Sequence, residues 1–215
     1  MIVSKQKPFT EILATLEPVS RIFLIGCAKC ATVCKSGGEE QLWQMQEDLT
    51  AAGKEVTGSL VIDEACHMLR VQRDLRSKGE QVKNAEALLV LACGAGVQSV
   101  STASDRLTVA GLDTLFLGNI RRFGQFEQRC SLCGHCILNE TGGICPVTIC
   151  PKGLLNGPCG GMDEGKCEVN PEAECAWCQI YQRLHDRGEQ APLSAANPPR
   201  DFSRNLRPGS LKLEK

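Results

Sequence analysis

Fourteen cysteines in 215 residues carry most of the chemistry this chain could do. Nine of them crowd its second half: Cys130, Cys133, Cys136, Cys145, Cys150, Cys159, Cys167, Cys175 and Cys178. The opening Cys130-x2-Cys133-x2-Cys136, followed later by Cys145-Pro146 and Cys150-Pro151, has the spacing with which bacterial iron–sulfur runs begin. The gap before Cys-Pro is longer than in a ferredoxin. Nine thiols can supply two four-thiolate sites with one to spare. Thiolates are soft ligands that suit iron–sulfur clusters and zinc alike, so zinc in one site stays open, with His135 available to a three-cysteine, one-histidine set.

Five further cysteines, Cys27, Cys30, Cys34, Cys66 and Cys93, lie in the first half. The elements around them suggest how they would meet. Arg21–Gly26, Val56–Ile62, Ala87–Ala92 and Thr114–Leu117 read as strands. Amphipathic helical patterns over 8–16, 38–52, 65–78 and 95–103 surround and separate them, with Gly53 and Gly79 as stops. Short apolar runs alternating with helices predict βαβ units and a parallel sheet. Cys27, Cys66 and Cys93 each fall just past a strand, and open parallel sheets bind ligands at the carboxyl ends of their strands. Cys30 and Cys34 are close to the same edge. The expected ligands there are Cys27, Cys30 and Cys66, with Cys93 or Cys34 as the fourth. Gly94 and Gly96 do not complete a dinucleotide fingerprint, because Ser99 stands where the third glycine belongs. They are read as cofactor-site glycines that let backbone approach a cluster closely.

Beyond about residue 121 the periodicity collapses, and Cys, Gly and Pro are dense from 130 to 167. Such a segment buries little apolar surface, and metal ligation can supply the missing folding free energy. Helical character returns over 175–187. The tail from 188, with Pro192, Pro198, Pro199 and Pro208, reads as an extended arm that is disordered or laid along a partner. The expected organisation is therefore an α/β, doubly wound parallel-sheet domain over 1–120, a loop-rich iron–sulfur domain over 121–187 and a tail over 188–215.

Composition removes other classes. Lys+Arg is 24 and Asp+Glu is 25, so the basic footprint of a nucleic-acid binder is missing. No apolar run approaches the roughly 20 residues needed to insert in a membrane. The start of the chain shows no signal-peptide pattern, which makes a cytoplasmic, reducing setting the expectation and disfavours a disulfide framework. No P-loop, G-x-S-x-G or H-E-x-x-H motif is present, and no catalytic residue is assigned. A thioredoxin-type dithiol at Cys27 and Cys30 is disfavoured by the third and later cysteines.

The strings Gly143-Ile144-Cys145-Pro146, Leu155-Asn156-Gly157-Pro158-Cys159-Gly160-Gly161, Gly165-Lys166-Cys167-Glu168-Val169 and Cys175-Ala176-Trp177, with Ile180-Tyr181, resemble the methylenetetrahydrofolate reductase C-terminal family. Gly26-Cys27 with Cys30 and Cys34, Gly37-Gly38, Ala65-Cys66 and Ala92-Cys93-Gly94-Ala95-Gly96 are similar to the amino-terminal half of its MetV-type members, the small iron–sulfur subunits of the two-subunit reductase of acetogenic bacteria. The resemblance spans roughly residues 20–185. It implies an electron-transfer subunit of the Wood–Ljungdahl pathway, itself non-catalytic. A MetF-type partner would hold flavin mononucleotide (FMN) and reduce methylene- to methyl-tetrahydrofolate. Ferredoxin or another redox subunit would be the upstream donor. It implies two [4Fe-4S] clusters and, with the amino-terminal cysteines, a third. Cys178 departs from the family pattern and is read as the spare thiol. The alternative is a zinc-stabilised interaction subunit that carries no electrons.

Overall fold

The computed structural model describes residues 1–189 and 196–213. The chain divides into two compact units. One comprises 1–116 with 122–126, and the other 117–121 with 127–215.

The first unit is built on four parallel strands, β2 (Arg21–Cys27), β3 (Glu55–Ile62), β4 (Ala87–Leu91) and β5 (Leu107–Ala110), in the order β3-β2-β4-β5. The two central strands are the most apolar. Residues 22–27 of β2 and all of β4 are buried, as strands covered on both faces must be. The strand order reverses at β2. With right-handed crossovers, α3 (Glu39–Ala51) then covers one face, while α4 (Met68–Ser77), α5 (Gly79–Asn84) and α6 (Gly94–Ala103) cover the other. Leu42, Met45 and Leu49 form the buried stripe of α3, and Val71 and Leu75 that of α4. Gly53 closes α3 with a φ of 79°, a left-handed conformation that suits glycine. The short α1 (Phe9–Thr15) follows Pro8, which serves as its N-cap, and buries Ile12.

A second sheet is antiparallel, with three strands in the order β1-β6-β7: β1 (Ile2–Gln6), β6 (Leu112–Arg122) and β7 (Gln125–Cys130). Here the structure corrects the sequence reading twice. Thr114–Leu117 is part of β6 and not the fourth parallel strand, which is the four-residue β5. Leu107–Ala110 is too short to be conspicuous, and only Val109 is buried. The chain then changes sheets at Gly111, where a Cβ would collide with the side chain of Leu91. In addition, the collapse of periodicity near 121 conceals a hairpin: β6 and β7 continue to Cys130 across the Phe123-Gly124 turn. α4 ends at Ser77 with Lys78 as its C-cap, just before the expected stop at Gly79, and Gly79 then opens the separate short helix α5.

In the second unit the regular elements are few. Among the described residues they are its share of β6 and β7, the one-turn α7 (Pro146–Ile149), α8 (Ala176–Asp186) and a 3-10 turn at Phe202–Asn205. Ile144, Cys175, Trp177, Ile180 and Leu184 form a small core. Pro192 of the tail lies outside the described residues. Further along, Asn197 exchanges hydrogen bonds with Asn156, whose amide donates to the Asn197 carbonyl (3.0 Å) and whose side-chain oxygen accepts from the Asn197 N–H (2.6 Å). The described tail is thus fixed to its own unit at the Asn-Gly-Pro segment.

One position in the first unit gives a direct test of how tightly the sheet edge is built. Gly37 packs its backbone on the end of β4, and a Cβ there would overlap the Leu91 carbonyl oxygen. Its own carbonyl accepts the Cys27 N–H at 3.0 Å. Neither backbone can give way cheaply. Gly37→Ala is expected to cost about 1–3 kcal/mol, read as a lower urea midpoint. Gly79→Ala, where a Cβ meets nothing within 4 Å, should be neutral or slightly stabilising.

Candidate functional site

Cys27 is the last residue of β2 and pairs in register with Ile62, the last residue of β3. Cys66 follows β3 by one tight turn. Cys93 follows β4 and caps α6. The sheet therefore brings three thiols to its carboxyl edge, on either side of the reversal in strand order. Although Cys66 is exposed at the surface, partial burial of its sulfur pushes the Cys66 thiol up from its ordinary value, and the nearby Cys93 and Cys27 thiols push it further. Cys30 opens the one-turn α2 (Cys30–Val33) and is partly exposed. Cys34 turns elsewhere, its thiol facing the Ile2 carbonyl of β1 at 3.8 Å. Beside this edge Asp63 pairs with Lys29 (2.9 Å) and Arg70. The Lys29 ammonium, ahead of Arg70, holds the Asp63 carboxyl below the usual carboxylate range.

Gly94 and Gly96 occupy the first turn of α6. The Gly94 N–H donates to Thr114 Oγ1 at 2.8 Å. Gly96 is buried between Ala92 and Ala65, where a Cβ would stand 2.9 and 3.1 Å from their methyl groups. Gly96 thus lets the helix carrying Cys93 approach the turn carrying Cys66.

In the second unit Cys130 is the end of β7, so a strand fixes the start of the Cys-x2-Cys-x2-Cys run. The run turns through left-handed backbone at Leu132 (φ 54°) and Gly134 (φ 76°). Successive turns of this kind point N–H groups into a concavity that favours anionic sulfur. The Leu132 N–H donates to Cys130 Sγ at 3.3 Å. Ser131 and Thr148 share a hydrogen bond of 3.0 Å, and Thr148 Oγ1 lies 3.4 Å from Cys145 Sγ. Cys145 is thereby held beside the run despite the gap in sequence. The Cys133 thiol donates to the His135 carbonyl at 3.4 Å. His135 is partly buried, and its neighbours include Val147 and Pro198.

Four more cysteines, Cys150, Cys159, Cys167 and Cys175, line one small apolar cavity of about 20 Å³ together with Met162 and Trp177. Backbone hydrogen bonds hold the wall. The Cys167 N–H donates to the Ala173 carbonyl (3.0 Å), the Cys175 N–H to Gly165 (2.7 Å), and the Trp177 indole N–H to Leu154 (2.9 Å). Cys178 lies outside this lining. Burial, followed by a hydrogen bond with Cys175, pushes the Cys178 thiol up.

Two charged residues at this cavity are given no role in the sequence reading. Lys152 forms an ion pair with Glu168, and the Cys159 thiol donates to the same Glu168 oxygen at 3.2 Å. The Lys152 hydrogen bond, with that of Cys159 second, holds the Glu168 carboxyl below its usual range. The nearest signal in the sequence is the pair Gly160-Gly161, whose use appears only in three dimensions.

All fourteen cysteines are free thiols. Among the described residues no three Cys, His, Asp or Glu side chains are grouped closely enough to hold a metal ion. The donor chemistry nevertheless fits a thiophilic centre, with four cysteines lining one apolar cavity and four more between Cys130 and Cys145, where the Leu132 N–H donates to the Cys130 sulfur. No helix of the described residues is long and apolar enough to cross a membrane.

Fold and site together define a thiol-rich chain: an open parallel α/β sheet with cysteines at its carboxyl edge, and a small-cored unit whose loops converge on further cysteines. Residues 109–203 match the family described as Methylene-tetrahydrofolate reductase C terminal. The match takes in every cysteine of the second unit and none of the first, and spans less than half of the chain. No curated protein matches the chain.

Proposed function

We propose that the chain is an iron–sulfur electron-transfer subunit of a methylenetetrahydrofolate reductase. The observation that carries this reading is the lining of one apolar cavity by Cys150, Cys159, Cys167 and Cys175, within a segment similar to that reductase family. These four would hold one [4Fe-4S] cluster. Cys130, Cys133, Cys136 and Cys145 would hold a second. Cys27, Cys66 and Cys93, with Cys30 as the fourth ligand, would hold a third at the sheet edge. The orientation of Cys34 toward β1 supports Cys30 over Cys34. Such clusters accept and release single electrons without bond making at carbon, so hydride and carbon chemistry would fall to a flavin-bearing, MetF-type partner. The chain's own residues set access and polarity: Met162 and Trp177 exclude water from one cavity, and the Leu132 N–H donates to sulfur at the other site.

A zinc reading is favoured at one place, the Cys130–Cys145 loop, where the ligands are more exposed and His135 is adjacent. Iron, acid-labile sulfide and zinc analysis of the anaerobically purified chain separates the readings. Iron and sulfide in equal amounts, with a brown absorbance that bleaches on dithionite, is the expected result. A colourless chain holding only zinc would refute electron transfer.

A further inference from the structure

We propose that Lys152, locked in place by Glu168, is the positioning residue that offsets ligand charge in the Cys150–Cys159–Cys167–Cys175 cavity. The proposal rests on the iron–sulfur reading of that cavity and goes beyond it, because it assigns the site's electrostatic balance to two residues that ligate nothing.

Three observations carry it. First, Lys152 pairs with Glu168 while Cys159 bonds to the same carboxylate oxygen, so ammonium, carboxylate and sulfur meet at one point. Second, both charged residues belong to the lining of the cavity that Cys150, Cys159, Cys167 and Cys175 also line. Third, the backbone is shaped around the carboxylate. A Cβ on Gly161 would overlap Glu168 Cδ and Oε2, so only glycine leaves the space in which Glu168 reaches Cys159.

The consequence follows from charge. A ligating cysteine has lost its proton and can no longer donate to Glu168. Thiolate and carboxylate are then adjacent negative charges, and Lys152 is the cation that both face. When a one-electron reductant such as dithionite reduces the site, one electron is added, no proton is taken up, and the cavity gains one negative charge. A fixed ammonium favours that reduced form, and a fixed carboxylate opposes it. Lys152 therefore raises the reduction potential of this one site, and Glu168, while orienting Lys152, lowers it.

The test is an anaerobic redox titration of the full-length chain followed by electron paramagnetic resonance. In Lys152→Met, poised at the wild-type midpoint of the affected site, the ratio of reduced to oxidised cluster should fall about threefold or more, which is roughly 30 mV at 59 mV per tenfold change. The other clusters should titrate as in the wild type. Glu168→Gln should move the same wave in the opposite direction, and Lys152→Arg, which keeps the charge, should restore it. A merely structural pair would shift none of the waves, or would shift them alike in both variants, and either result overturns the proposal. If Lys152→Met loads too little iron to titrate, Glu168→Gln and Lys152→Arg decide the sign between them. A wild-type chain without iron and sulfide overturns both this inference and the function it rests on. Iron present with unmoved potentials overturns this inference alone.

Discussion

Stripping iron and zinc from the chain is expected to unfold the second unit while the first stays folded. The two units are held by different means. The first encloses a continuous core that includes Ile12, Phe23, Leu24, Ile25, Leu49, Leu88 and Leu89, all almost wholly buried between sheet and helices. Among its described residues the second has a core cluster of five buried side chains, one helix longer than a single turn and no sheet of its own beyond its share of β6 and β7. Its long glycine-bearing loops have little apolar burial to offset their loss of conformational freedom. A structural thiolate site can contribute on the order of 10 kcal/mol, far more than a core of that size can lose and survive. The two tryptophans make the outcome readable. Trp177 is 5% exposed in the second unit's core, whereas Trp43 on α3 is already 61% exposed. Removing the metal with chelator and oxidant should red-shift the emission of Trp177, while slow amide exchange persists in β2 and β4. If Trp177 emission stays unshifted in fully metal-free protein, metal is not what orders this unit.

The way each unit is held also explains what could be read from its sequence. The central strands were legible because burial on both faces leaves an uninterrupted apolar run, as in Ile22–Ile25 and Ala87–Leu91. The edge strand β5 was not, because one short half-exposed strand differs little from a loop. Gly111 announces the change of sheet only through its clash with Leu91. Cys27, Cys66 and Cys93 could be placed at one edge from topology alone, since every parallel strand ends at the same side of the sheet. No such rule exists in the second unit. There the spacing of Cys130, Cys133 and Cys136 marks a local loop, but the company of Cys150, Cys159, Cys167 and Cys175 depends on how irregular backbone closes over some 25 residues. Lys152 and Glu168 were invisible for the same reason: they are sixteen residues apart, and nothing periodic links them.

Replacing a single cavity cysteine by serine is expected to remove a whole cluster rather than a quarter of one. A cluster in the cavity would be bound by all four sulfurs at once, so the loss of one ligand would expose a reactive iron and weaken the hold of the other three. Cys159→Ser should therefore lower iron by about four atoms per chain. Cys167→Ser should do the same, and the double variant should lose no more than either single, because both delete the same site. Non-additivity of this kind marks residues that act as one unit. Cys178→Ser provides the contrast. Its sulfur sits three residues beyond Cys175 on α8 and outside the cavity lining, so iron content should be unchanged. The loop site should respond independently: Cys133→Ser combined with Cys159→Ser should lose about eight iron atoms if iron fills both sites. Iron and sulfide counts on these anaerobically purified variants, with folding checked by the slow amides of β2 and β4, give the grouping directly. If Cys159→Ser and Cys167→Ser removed separate increments of iron that summed in the double variant, the two cysteines would belong to different centres, and the cavity could not be a four-thiolate site.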